Sequence, residues 1–267
     1  MNAFCIILFG MASTSMAASL ELDGVAHIAF RVGDVPVSRD FCKKLGFDQA
    51  FEFNDAAGTT TSYLKVNDRQ FIELYRRRPT EPLGLMHLCF DVADLQALYA
   101  AYKDRGLQAS APVKARAGNL LFNLRDPEGQ VLEYTQYQPG SLHWNARGAP
   151  SPDRRISQRM VEFAVAVKDL AAEQAFYSGK LGLSDRGSHR LRLPGTSGEE
   201  IVLEPLTPEW KPRIRFSVPG VSRAADELRT RGLSPRSGGH SSRTRPGRHG
   251  AGVCLVQLVP PPSVAAW

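Results

Sequence analysis

Two histidines and two glutamates in the first half of the chain, His27, Glu73, His87 and Glu133, have the types and placement to hold a metal ion. Each lies in an apolar stretch of alternating character (VAHIAF, FIELY, LMHLCF and VLEYTQY), so each is expected on a strand. Side chains two positions apart share a strand face. That puts His27 with Ala29, His87 with Cys89, Glu73 with Phe71 and Tyr75, and Glu133 with Val131, Thr135 and Tyr137. If those faces line one concave sheet, two imidazoles and two carboxylates converge among small side chains. Such a set suits Fe(II), Mn(II), Ni(II), Zn(II) or Co(II) and leaves positions open for substrate oxygens. Singly, each residue has an ordinary explanation, as a hydrogen-bonded core histidine or a solvent-facing glutamate. Jointly, four inward polar groups without a cation are expensive to bury.

The strands that must position them belong to a repeated unit. Residues 25–47 (VAHIAFRVGDVPVSRDFCKKLGF) and 160–183 (MVEFAVAVKDLAAEQAFYSGKLGL) share a strand, a V-x-D turn, an amphipathic stretch and a Leu-Gly stop. Asp34 and Asp169 are predicted helix N-caps, and Gly46 and Gly182 the residues just past the helix ends. Residues 85–107 match 212–233 in the same way, with Arg105-Gly106 against Arg231-Gly232. In the first half each helix is followed by more strand-like sequence, TSYLKV and RQFIELY, then NLLFNL and QVLEYTQY. Asp126-Pro127-Glu128-Gly129 joins the last two with the residue preferences of a type I turn. The predicted fold is therefore α+β: paired βαβββ modules, two halves in one chain, the second degenerate. The expected divisions are 22–138 for the first domain, 139–157 for a linker rich in Pro, Gly and Arg, and 158–260 for the second domain.

The segments VAHIAFRVGD, FIELY, GLMHLCFDV, DPEG and VLEYTQY resemble the vicinal oxygen chelate superfamily, which includes glyoxalase I, extradiol dioxygenases and bleomycin-resistance proteins. The resemblance covers 24–138 strongly and 158–233 more weakly. It implies a half-open barrel around one divalent metal that binds a small-molecule substrate through neighbouring oxygens. Resemblance to glyoxalase I implies the ligands His27, Glu73, His87 and Glu133, with Glu133 or Glu73 moving a proton as general base. Resemblance to extradiol dioxygenases implies the subset His27, His87 and Glu133. The expected activity is glyoxalase-type lyase or isomerase chemistry. The alternatives are an Fe(II) extradiol-type dioxygenase and a non-catalytic binding or resistance protein.

The second half departs from this pattern. Glu162 stands at the place of His27, Arg213 at that of His87, and Glu204 near that of Glu73, while no DPEG turn or glutamate follows. An arginine repels a cation, so this half is expected to be scaffold or substrate wall. Its first helix also carries one residue more before Leu-Gly, with Tyr177 where the first half has Cys42. The remaining histidines, His143 beside Trp144 in the linker and His189, His240 and His249, lack partner spacing and are assigned no role in the metal site.

The 267 residues are 43% hydrophobic and 22% charged, which excludes a disordered chain, a collagen-like repeat and a multi-span membrane protein. Lys plus Arg (33) exceeds Asp plus Glu (27), a formal charge of +6. No basic helix or aromatic-interleaved patch accompanies it, so no nucleic-acid partner is expected. The 4 cysteines show no paired spacing. The apolar run FCIILFGM is too short to span a bilayer and is followed by small residues ending Ser15-Met16-Ala17. Residues 1–18 are therefore expected to be a signal peptide, although no Lys or Arg precedes the run. The product would then be periplasmic or secreted, and otherwise cytoplasmic. Residues 234–250 contain no aliphatic or aromatic side chain. They read either as a polar, protease-sensitive loop or as out-of-frame sequence replacing the fourth module. A homo-oligomer is compatible with all of this.

Overall fold

The computed structural model describes residues 22–149, 154–195, 197–233 and, as backbone, 252–257. The expected signal peptide (1–18) and polar tail (234–250) lie outside the described residues.

The first half contains β1 (Gly24–Val32), α1 (Val35–Lys44), β2 (Gln49–Asp55), β3 (Gly58–Lys65) and β4 (Phe71–Arg76). A second unit follows: β5 (Gly84–Asp91), α2 (Leu95–Asp104), β6 (Val113–Lys114), β7 (Leu120–Arg125) and β8 (Val131–Gln136). These are two βαβββ modules, joined in one 8-stranded sheet of order β2-β3-β4-β1-β5-β8-β7-β6. At its centre β1 and β5 run antiparallel, flanked by β4 parallel to β1 and β8 parallel to β5. The short helix α3 (Leu142–Ala146) follows, inside the stretch expected as linker.

The second half has β9 (Met160–Val167), α4 (Leu170–Ala175) with a π turn (Phe176–Lys180), β10 (Ser184–Asp185), β11 (Arg190–Arg192) and β12 (Glu200–Pro205). It continues with β13 (Arg213–Val218), α5 (Val221–Thr230) and β14 (Gly252–Gln257), giving a 6-stranded sheet of order β10-β11-β12-β9-β13-β14. β14 pairs antiparallel with β13, at the place where β8 runs parallel to β5. The described part of the fourth module is thus a strand, a helix and one strand of reversed direction. The architecture is mixed α+β in two open sheets.

Local chemistry explains the helices. Asp34 Oδ1 accepts from the Val37 N–H at 2.8 Å, and Asp169 Oδ1 from that of Ala172 at 3.0 Å. Gly46 follows α1 at φ +89°, and a Cβ there would meet Arg154 O at 2.5 Å, so only glycine fits. The extra residue of the second repeat is absorbed by the π turn, where the Leu181 N–H bonds to Phe176 O at 3.2 Å. Cys42 and Tyr177 are both buried on the inner face of their helices.

Alternation along β1 sends Ile28 and Phe30 into the main core and His27 and Ala29 toward the other face. That core is continuous across the halves: Phe47 stacks on Phe216 with ring centroids 5.2 Å apart. The Gln70 amide clasps the same boundary. Its Nε2 donates to Met160 O (3.0 Å) and Glu199 Oε1 (2.9 Å), and its Oε1 accepts from the Met160 N–H (2.8 Å). Among the described residues no helix is long and apolar enough to cross a membrane.

Candidate metal centre

Strand register sets the site out as a checkerboard. Ala29 of β1 pairs with Glu73 of β4 on one side and with His87 of β5 on the other. One step along, Cys89 of β5 pairs with His27 on one side and with Glu133 of β8 on the other. A small side chain therefore separates the members of each row, leaving room for the longer ones to lean together. All four residues expected at the site meet there. His27 Nε2 lies 2.9 Å from His87 Nε2 and 3.3 Å from Glu133 Oε1, and His27 Nδ1 lies 3.3 Å from Glu73 Oε1. None is more than 9% exposed. His27, Glu73 and His87 offer one ligand atom each within 4.8 Å of one another, and so do His27, Cys89 and Glu133.

Burial opposes charge on every member, and the neighbours decide the outcome. Glu73 is pressed upward by burial, but His27, His143 and His87 outweigh this and bring it down to about 2. Glu133 is likewise raised by burial and brought below its usual value by His87 and His27. For His27 burial lowers the pKa, and the Glu73 and Glu133 carboxylates leave it raised on balance. Burial wins at His87, which is lowered. Tyr75 donates to Glu73 Oε2 at 2.9 Å, and the Tyr63 and Tyr75 hydroxyls lie 3.3 Å apart.

The donor set fits a divalent cation. Two imidazole nitrogens face each other with a carboxylate oxygen beside that of His27, and the buried His27 Nδ1 has no hydrogen-bond partner among the described residues. Neutral imidazole nitrogen and carboxylate oxygen suit first-row divalent metals.

One residue at this site was not expected. His143 on α3, assigned no role from its sequence spacing, is 3% exposed and places Nε2 3.5 Å from Glu73 Oε1. Sequence spacing could not point to it, because only the folding of α3 over the sheet brings position 143 to position 73. The nearest sequence signal is Ser141, whose Oγ accepts from the Trp144 N–H at 3.1 Å and starts α3. A polar cavity of about 330 Å³ lies nearby, lined by Asp23, Arg69, Asp91, Gln136, Tyr137 and Arg147, and contains none of the four expected ligands.

The second sheet holds no comparable metal-ligand group among the described residues. Register puts Glu162 at the His27 place and Arg213 at the His87 place, as expected. It corrects the position of Glu204, which pairs with Ala166 and so occupies the place of Tyr75. Val202, paired with Ala164, stands where the first half has Glu73. Counting residues along an unpaired strand misplaced Glu204 by one pleat repeat. The charges on this face neutralise one another: Glu162 pairs with Arg190 and Arg215, and Glu204 with Arg213 and the Trp210 indole N–H.

Several solved structures share this architecture. A Mn(II)-bound glyoxalase from Novosphingobium aromaticivorans superposes with a TM-score of 0.60 at 16% identity, covering 80% of this chain and 73% of that one. The 2,3-dioxygenase LapB from Pseudomonas sp. KL28 gives 0.61 at 17% identity, covering 83% of this chain and 86% of its own. A xylose isomerase-like TIM barrel/4-hydroxyphenylpyruvate dioxygenase fusion protein gives 0.60 at 16% identity over 82% of this chain and 40% of that one. At these identities the likeness is one of fold. No curated protein sequence matches the chain. The family model of the Glyoxalase/Bleomycin resistance protein/Dioxygenase superfamily matches residues 24–134, from the start of β1 into β8. Residues 24–134 are therefore a domain of the glyoxalase/bleomycin resistance protein/dioxygenase superfamily.

Proposed function

We propose that the first sheet carries a divalent-metal-dependent active site of the glyoxalase type, acting on a small substrate through two neighbouring oxygens. The observation that supports it is the meeting of His27, Glu73 and His87, whose ligand atoms lie within 4.8 Å of one another, with Glu133 Oε1 3.3 Å from His27 Nε2. His27, His87, Glu133 and Glu73 would hold the metal. Bound there, it supplies Lewis-acid polarisation of a substrate carbonyl and its neighbouring oxygen.

The chain's own part is proton transfer in a dry site. Glu133 is ionised and, at 9% exposed, the most accessible of the four, so it takes the proton from the carbon beside the polarised carbonyl and returns it to the adjacent carbon. Glu73 is the weaker base. Its carboxylate is held by Tyr75 and lies between His27 and His143, with a pKa near about 2. Burial of both histidines excludes bulk water, and paired charges leave the second sheet as scaffold.

One observation favours a second reading. Glu73 Oε1 lies on the Nδ1 side of His27, whereas His87 Nε2 and Glu133 Oε1 both lie on its Nε2 side, at 2.9 and 3.3 Å. The subset His27, His87 and Glu133 is the facial triad of an Fe(II) dioxygenase. Protein loaded in turn with Mn(II), Ni(II), Zn(II), Co(II) and, without oxygen, Fe(II) should be assayed with a methylglyoxal–thiol hemithioacetal and with catechols. Isomerisation of the hemithioacetal supports the first reading. Ring cleavage confined to the Fe(II) form supports the second, and metal binding without either reaction leaves a binding protein.

A further inference from the structure

We propose that His143 is a positioning residue of the metal centre, acting through Glu73. This inference rests on the metal-site reading above and adds to it a residue from outside the matched domain.

The tautomer of His143 follows from its neighbours. Asn119 Oδ1 faces the Gln138 backbone N–H at 3.3 Å, and a backbone N–H can only donate. The oxygen of the Asn119 amide is thereby located, and its Nδ2 is the group 2.9 Å from His143 Nδ1. Since Nδ2 has only hydrogens to offer, His143 Nδ1 accepts, and the proton of the neutral ring is on Nε2. That nitrogen forms no hydrogen bond with the described residues and lies 3.5 Å from Glu73 Oε1. A buried N–H with no other outlet thus faces a carboxylate oxygen of the proposed ligand set.

The ring is also held in place. Phe51, Tyr63 and Phe71 meet it edge-on, with centroids at 4.9, 5.3 and 4.8 Å, and Tyr137 packs on it at 5.3 Å. The backbone that carries it is pinned to the sheet. Lys65 Nζ donates to Ala146 O (2.7 Å) and Ala149 O (2.9 Å), and the Leu142 N–H donates to Ala117 O (2.8 Å). Four rings and a backbone clasp give His143 one orientation. Groups behind a metal ligand that fix its position typically change metal affinity by about 10–100-fold when removed.

The test is Co(II) titration of the full chain, read by the visible ligand-field spectrum, with thermal unfolding as a folding control. His143→Phe fills the aromatic box but cannot donate, and His143→Gln places a side-chain amide N–H near the position of Nε2. His143→Phe should still bind one Co(II) through His27, His87 and Glu133, about 10–100-fold more weakly and with a changed spectrum. His143→Gln should recover at least part of both, and His143→Phe should add nothing when Glu73 is already alanine. Wild-type affinity and spectrum in a folded His143→Phe overturn the proposal. So does equal weakening in the Phe and Gln variants, which marks His143 as packing alone. If both variants unfold, the His143 tautomer read by long-range 1H–15N NMR in the folded wild type decides: a proton on Nδ1 overturns the proposal, and a proton on Nε2 upholds it. Failure of the wild type to bind Co(II) instead overturns the metal-site reading beneath it.

Discussion

Glu128, in the turn between the last two strands of the first sheet, accepts the backbone N–H of Asp169 at 2.7 Å and that of Lys168 at 2.5 Å. Asp169 is itself the N-cap of the first helix of the second half. One half thus completes the helix start of the other, supplying from a distant loop the carboxylate that a capping box supplies locally. Glu128→Ala should lower global stability by about 1–2 kcal/mol in urea unfolding, and Glu128→Gln, which keeps an acceptor, by less. Equal stability of the Ala variant and wild type contradicts the role.

Glu173 lies in the same boundary and gives it a pH dependence. Its Oε1 accepts the Glu128 N–H at 2.9 Å, and its Oε2 is buried without a partner among the described residues. Burial, followed by the neighbouring Asp126 carboxylate, pushes its pKa from 4.5 to about 7. Below the unfolded value both states hold the proton, and the folded state is at its best. As pH rises toward the folded value the unfolded chain releases its proton first, so stability falls, by roughly 1–2 kcal/mol between pH 4.5 and 7. Unfolding free energies of Glu173→Gln across that range should be higher at neutral pH and should lack this loss. An unchanged slope would refute the assignment.

Ala29 provides a test of the site that removes no ligand. It is fully buried and pairs with both Glu73 and His87. Ala29→Leu should fill the gap between the rows, cost about 1–3 kcal/mol of stability and abolish metal uptake in a protein that still folds. Ala164→Leu, at the matching place in the second sheet, should leave metal uptake unchanged. Metal content of the two purified variants decides it.

Cys42 is fully buried under α1, and burial raises its thiol to about 12. Native protein exposed to iodoacetamide at pH 8 should leave this residue unmodified for as long as it stays folded, and denatured protein should label at once. Rapid labelling of Cys42 in the native state, located by mass spectrometry, contradicts the packing described here.

Much of this fold is legible in the chain because its signals are local. Asp34 and Gly46 mark the ends of α1 by capping chemistry. Alternation around His27, Glu73, His87 and Glu133 reports which side chains share a face. What was not legible depends on pairing between distant segments. The register of β12 on β9, which exchanges Glu204 for Val202 at the Glu73 place, follows from interstrand hydrogen bonds with no trace in residue counting. The extra residue near Tyr177 is visible, but its absorption as a π turn is settled by packing against Asp126, whose Oδ2 the Tyr177 hydroxyl meets at 3.1 Å. His143 was hidden for the same reason: a short helix in a Pro- and Gly-rich stretch carries no periodicity that would aim it at a strand 70 residues back.

The central claim is that one divalent ion binds in the first sheet and none in the second. Elemental analysis of protein reloaded with Mn(II) or Zn(II) and freed of excess metal tests it most directly, on wild type, His87→Ala and Arg213→Ala. The metal-site assignment predicts one ion per chain in the wild type and in Arg213→Ala, and none in His87→Ala. Two ions per wild-type chain, a metal-free wild type, or an ion retained after loss of His87 contradicts it.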